Sequence, residues 1–243
     1  MVQKAVRDRR LDVGAGLALP CDQLRPTRPR GLESAMEFDL TAHLAKVERH
    51  VVSGTRDGQR SKAVVIARTV PAPVKEVWDA LTNPERLPKW FLPISGDLRG
   101  GGRYQLEGNA SGVITGCREP ELIEATWEFG GEVSWVTVRL GSDDGGTRIE
   151  LEHEAIVDDK FWPDYGPGAA GVGWDSALVG LVRHLEDPAE NVQDPAWMAE
   201  HGVELNTAAS EAWGRAAIAD GTPEAEALAQ ADRTRAFYLG EEA

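Results

Sequence analysis

The feature that most restricts the fold is a run of alternating segments between residues 103 and 156, each closed by a glycine or aspartate turn and followed by one long apolar-faced stretch. Arg103–Glu107, Ser111–Arg118, Leu122–Phe129, Val133–Leu140 and Thr147–Ile156 alternate apolar and polar side chains, most cleanly at Ile123, Ala125, Trp127 and Phe129. The separators are Gly108-Asn109, Glu119-Pro120, Gly130-Gly131 and Asp143-Asp144-Gly145-Gly146. Strands of this length with turns this short predict a curved antiparallel meander. Ala169–Leu185 then places Trp174, Ala177, Leu178, Leu181, Val182 and Leu185 along one helical face. A sheet with one apolar face and a helix with one apolar stripe bury each other, which makes the class α+β.

Two strands precede the meander. Lys46–Ser53 and Ala63–Val70 flank Asp57-Gly58, a hairpin signal because both turn positions favour positive φ. The first strand is an addition in front of the sheet, and the count of strands is about seven. Pro71 and Pro73 end the second strand. Val74, Val77, Trp78 and Leu81 recur at helical spacing, and Asn83-Pro84 restarts a short helix that runs to about Trp90. Residues 158–168 read as an irregular loop. Residues 194–240 read as two or three further helices, with Thr222-Pro223 as a start signal.

The domain reading has three parts. Residues 1–35 are Arg-, Pro- and Gly-rich without a sustained period and are expected to be disordered. They are either read through from a start upstream of Met36 or form a basic targeting arm. Residues 36–187 form the sheet-and-helix domain, and residues 188–243 form a helical extension.

Charge excludes some functions. The chain carries a formal net charge of −14; residues 1–35 hold seven basic and four acidic groups, so the remainder stands at −17. A body this acidic repels phosphate backbones and anionic membrane surfaces, so no nucleic acid and no membrane is expected as a partner. Cys21 and Cys117 make neither a metal-ligand spacing nor a disulfide framework, which suits a reducing cytoplasm. No metal and no cofactor is expected.

The order strand, two short helices, meander, long helix is similar to the helix-grip superfamily, also called START-like or SRPBCC. The nearest likeness is to the branch named after the C-terminal domain of the heat-shock protein 90 ATPase activator. The resemblance is carried by Arg68-Thr69-Val70-Pro71-Ala72-Pro73 through Val77-Trp78-Asp79-Ala80-Leu81-Thr82-Asn83-Pro84-Glu85. It is reinforced by Trp90-Phe91, the glycine step into Tyr104, Ala125-Thr126-Trp127-Glu128-Phe129, Gly146-Thr147-Arg148 and Gly171-Val172-Gly173-Trp174. It spans roughly residues 60–187. The resemblance implies a cavity between the concave sheet face and the long helix, usually for a hydrophobic ligand, and it implies no fixed chemistry. A chaperone partner follows from the branch name alone.

Six residues are candidates to line such a cavity: Trp90, Phe91, Tyr104, Trp127, His153 and Trp174. His153 shares a strand face with Ile149 and Leu151, so it points inward, either as an acid/base or ligand contact or as a core histidine. Glu150, Glu152 and Glu154 alternate with these residues and belong to the solvent face, since buried like charges repel. Trp135 is out of phase with Val136 and Val138 and is expected to face outward. Gly171 and Gly173 are expected to bring the long helix close to the sheet or to leave room for a ligand. There is no GxSxG, no Walker sequence and no Cys-His pairing. The residues favour binding of a hydrophobic or aromatic small molecule over catalysis. A polyketide cyclase- or dehydratase-like reaction, with His153 as acid/base and Tyr104 as a polar handle, stays open. So does a co-chaperone or interaction module. The added strand and the helical tail are the elements able to extend an interface in a homodimer.

Overall fold

A computed structural model describes residues 38–157 and 161–241; the expectations for residues 1–35 and for Cys21 lie outside them. After a short helix α1 (Leu40–Ala45), β1 (Glu48–Arg56) and β2 (Gln59–Val70) form the hairpin that Asp57-Gly58 dictates, with φ of 51° and 78°. Then come α2 (Val74–Thr82), α3 (Leu87–Trp90), β3 (Ile94–Gly96), β4 (Arg103–Leu106), β5 (Ser111–Arg118), β6 (Leu122–Phe129), β7 (Glu132–Asp143) and β8 (Gly146–Ile156). The C-terminal part is helical: α4 (Phe161–Tyr165), α5 (Gly168–Glu186), α6 (Pro195–Ala219) and α7 (Glu224–Leu239).

All eight strands lie in one antiparallel sheet, ordered β1-β2-β8-β7-β6-β5-β4-β3. The strand beyond the expected seven is β3, only three residues long. The short helix near Trp90 also begins later than Asn83-Pro84 suggests. The Asn83 side-chain oxygen accepts from the Glu85 amide at 2.9 Å, forming a turn, and helical geometry starts at Leu87. The stretch expected as a loop contains α4.

Register fixes which side chains share a face, because directly opposed residues point the same way. One row crosses six strands: Val51, Val64, His153, Val136, Ala125 and, on β5, Ile114. A parallel row holds Ser53, Lys62, Ala155, Ser134 and Trp127. These rows form the concave face over which α5 lies. The convex face carries Glu150 and Glu152, which ion-pair with Arg139, and Glu154, which accepts from Arg56 Nε at 2.7 Å. Trp135 is also outward, its ring covered by the Arg56 guanidinium at 4.1 Å.

The helix α5 is buried on two sides. Its sheet side packs on β2, and its other side receives α6 and α7. Gly171 and Gly173 of α5 serve that second contact rather than the sheet. A Cβ at Gly171 would stand 2.2 Å from Trp213 Cε2 on α6, and one at Gly173 would stand 3.3 Å from the Tyr238 hydroxyl on α7. Gly171→Ala is therefore expected to cost about 2 kcal/mol by overpacking, read as a lower urea midpoint at unchanged slope. An unchanged midpoint would show that Trp213 can move aside.

A buried charge pair joins the same elements. Asp175 of α5, fully buried, accepts from Arg49 of β1 at 2.6 Å (Nη2) and 3.2 Å (Nε), and from the Trp213 indole N–H at 2.8 Å. Arg49 Nη1 also donates to the Val47 carbonyl at 3.0 Å. Burial pushes the Asp175 carboxyl up, while Arg49 and Trp213 pull it down. Helix α7 fastens α4 and the start of α5. Gln230, Arg233, Thr234 and Tyr238 donate to the carbonyls of Trp162, Asp164, Tyr165 and Ala169 at 2.6 to 3.3 Å.

Candidate functional site

The sheet presents Trp127 on β6 and His153 on β8, and α5 lowers Trp174 between them. The Trp127 and Trp174 rings meet edge to face at 5.2 Å, and His153 lies 5.8 Å from the first and 5.7 Å from the second. Phe91, just after α3, stacks on Trp174 at 6.4 Å and on Trp90 at 5.5 Å. Such pairs add about 0.5–1.5 kcal/mol each beyond area burial. Five of the six candidate residues thus form one connected aromatic cluster.

Trp90 is its backing. The ring is buried, its indole N–H donates to the Ala80 carbonyl at 2.9 Å, and Gly180 lets α5 approach the Trp90 carbonyl. Tyr104 is placed on β4, where its hydroxyl donates to the Thr126 carbonyl at 2.7 Å. Burial pushes that phenol up to about 12.

The hydrogen bonds of His153 define its protonation. An indole N–H can only donate, so the 3.0 Å contact from Trp174 Nε1 makes His153 Nδ1 an acceptor. The ring proton of the neutral imidazole is then on Nε2, which donates to Ser134 Oγ at 2.7 Å. Ser134 in turn donates to the Trp127 carbonyl at 3.1 Å. Each side-chain donor and acceptor in this relay from Trp174 through His153 and Ser134 has a partner with the histidine neutral, and burial pushes its pKa down to about 4. Ser134 escaped the sequence reading, although it sits directly opposite Trp127 in the register.

Two regions of the concave face differ in cover. Under α5, Val64, Ile66 and Ile149 are buried to within 4% exposure. On the β5–β7 side, Ile114, Ile123, Ala125, Trp127 and Val138 are apolar yet only half-buried, as are Phe91 and Trp174. This half is an apolar groove with an aromatic wall. On the other side of His153 lies a pocket of about 120 Å³ between β2, β8, α4 and the start of α5, with Val64, Ala155, Phe161, Trp162 and Lys62 in its wall. A larger depression of about 260 Å³, beside Val70 and Leu185, is remote from the aromatic cluster and has Glu186 as its charged group.

Among the described residues no group of three or more His, Cys, Asp or Glu is arranged to hold a metal ion. Among them, too, no helix is long and apolar enough to cross a membrane.

The model of the family described as Activator of Hsp90 ATPase homolog 1-like protein matches residues 71–186. The crystal structure of CalU16 from Micromonospora echinospora is 32% identical, with 70% of this chain and 97% of that chain covered and a TM-score of 0.56. The solution structure of CalU16 gives 33%, 72%, 97% and 0.55. Protein MLL2253 from Mesorhizobium loti is 21% identical over 53% of this chain and 98% of its own, at a TM-score of 0.47. No curated protein matches the chain.

Proposed function

The chain belongs to the Activator of Hsp90 ATPase homolog 1-like family, with its helix-grip fold, and on that premise we propose that it binds a hydrophobic or aromatic small molecule between the concave sheet face and α5. The observation that carries this reading is the half-covered groove. Ile114, Ile123, Ala125, Trp127 and Val138 share the concave face, on which Trp127 meets Trp174, without being sealed from solvent. An apolar concave surface of this kind gains about 25 cal/mol for each Å² a ligand covers.

The two residues a cyclase-like reaction would use support binding instead. His153 has both ring nitrogens engaged and a pKa near 4, so it is a poor proton carrier near pH 7. The Tyr104 hydroxyl is committed to a backbone carbonyl. An exposed free thiol at Cys117 fits the cytoplasm as the place of action.

The test is a thermal-shift screen of lipids and aromatic metabolites, joined to native mass spectrometry of protein from its own host. Ligand at 100 times Kd stabilises by about 2.7 kcal/mol, so a true ligand must raise the Tm. Trp127→Ala is expected to weaken the best ligand about tenfold and to remove most of the fluorescence quenching it causes. A saturating screen without any shift, or a Trp127→Ala protein that binds as well as the parent, overturns the reading.

A further inference from the structure

The pocket on the far side of His153 has a chemistry of its own. Its size, about 120 Å³, compares with the roughly 150 Å³ cavity that accepts benzene in an engineered protein core. Its wall is mostly aliphatic and aromatic, and three of its side chains carry nitrogen: His153, Trp162 and Lys62. His153 is used up, since Trp174 and Ser134 occupy both ring nitrogens. An indole N–H and an ammonium are donors only. The side-chain polarity left to a guest is therefore purely donating.

Lys62 decides what kind of acceptor fits. Its ammonium donates to Ser53 Oγ at 2.7 Å and pairs with Asp220, the C-cap of α6, while lying 5.7 Å from the Trp162 ring across the pocket wall. Two of its three N–H groups are thus engaged on the β1 and α6 side. Asp220 already neutralises the charge. A carboxylate or phosphate guest would have to overcome repulsion from the Asp220 carboxylate and from a body of net charge −17 outside residues 1–35. A neutral carbonyl or ether oxygen meets neither.

We propose that this pocket is a subsite for the compact end of a neutral ligand, a ring or branched group of about six heavy atoms bearing one oxygen acceptor that Lys62 binds. The subsite deepens the small-molecule reading and rests on it. Asp220, from the helical extension, acts as the residue that selects neutral over anionic guests by keeping Lys62 paired.

Three probes of similar size test this: cyclohexanone, cyclohexane and cyclopentanecarboxylate, titrated while the methyl resonances of Val64 and Ala155 are followed. Cyclohexanone is expected to bind about tenfold tighter than either of the others. Lys62→Met should remove its advantage over cyclohexane and leave cyclohexane binding unchanged, which also shows that the variant is folded. Asp220→Asn should raise carboxylate affinity toward that of the ketone. Ala170→Leu, which fills the pocket, should abolish binding of all three while Trp127-dependent binding in the groove persists. A carboxylate that binds tightest to the parent protein, a ketone no better than cyclohexane, or no binding of any probe overturns the subsite. Failure of the groove reading shows separately, as loss of Trp127-dependent binding with the probes still held.

Discussion

Asp175→Asn is expected to lower stability by about 3–5 kcal/mol, the usual effect of leaving one member of a buried ion pair alone. The carboxylate is fully buried and meets the Arg49 guanidinium through both its Nε and Nη2. The amide keeps the shape but leaves the Arg49 charge without a counterion in a dry site. Arg49→Met strands the carboxylate instead and should cost a similar amount. The double variant Arg49→Met/Asp175→Leu restores an apolar contact and loses the acceptor for the Trp213 indole and the donor to the Val47 carbonyl, but strands no charge, so it should be more stable than either single variant. Urea unfolding of the four proteins measures this. Because the pair ties β1 and α6 to α5, the single variants should also become sensitive to proteolysis near α6 before the sheet unfolds. Single variants within 1 kcal/mol of the parent would mean that apolar packing alone, without the ion pair, holds the extension in place.

That pair marks the boundary of what the amino-acid order reveals. The hairpin at Asp57-Gly58, the β5–β8 alternation and the span of α5 were legible because turns and periodicity are local signals. The three residues of β3 were not, since three residues define no period; Ile94 is held by its pairing with Leu106. Nor was α4, whose carbonyls are bonded by α7 side chains nearly seventy positions on. Arg49 and Asp175 are 126 positions apart. One hint was present: Gly171, Asp175, Leu178 and Val182 lie on one stripe of α5, and an acid in such a stripe needs a buried partner. Gly171 and Gly173 were expected to serve the sheet or a ligand for the same reason, as only the fold shows that Trp213 and Tyr238 approach them. For the site, phase alone separates inward Trp127 from outward Trp135. The bond from Trp174 to His153 depends on how α5 crosses the sheet, which phase does not specify.

Burial of that ring makes His153 a source of acid sensitivity. The fold holds the neutral ring, with its pKa pushed down by burial to about 4 from the ordinary 6.5. Above pH 6.5 the folded and unfolded chains both carry a neutral ring, and its contribution to stability is present in full. As the pH falls from 6.5 to 4, the unfolded chain takes up a proton that the folded chain refuses, so stability is lost. The total is about 3 kcal/mol for a shift of this size. His43, pushed down to about 3 by burial and by Arg68, acts in the same direction, so a variant has to isolate the His153 part. His153→Gln does so. Its side-chain oxygen can accept from Trp174 and its amide nitrogen can donate to Ser134, reproducing the neutral pattern without titrating. At pH 7 the variant should be somewhat less stable than the parent, because the amide fills less of the aromatic cluster. By pH 4 the difference should have moved in favour of the variant by about 3 kcal/mol, measured as paired urea midpoints across that range. A constant difference would mean that the folded protein protonates His153 as readily as the unfolded chain does, and the hydrogen-bond direction drawn from Trp174 through His153 to Ser134 would be wrong.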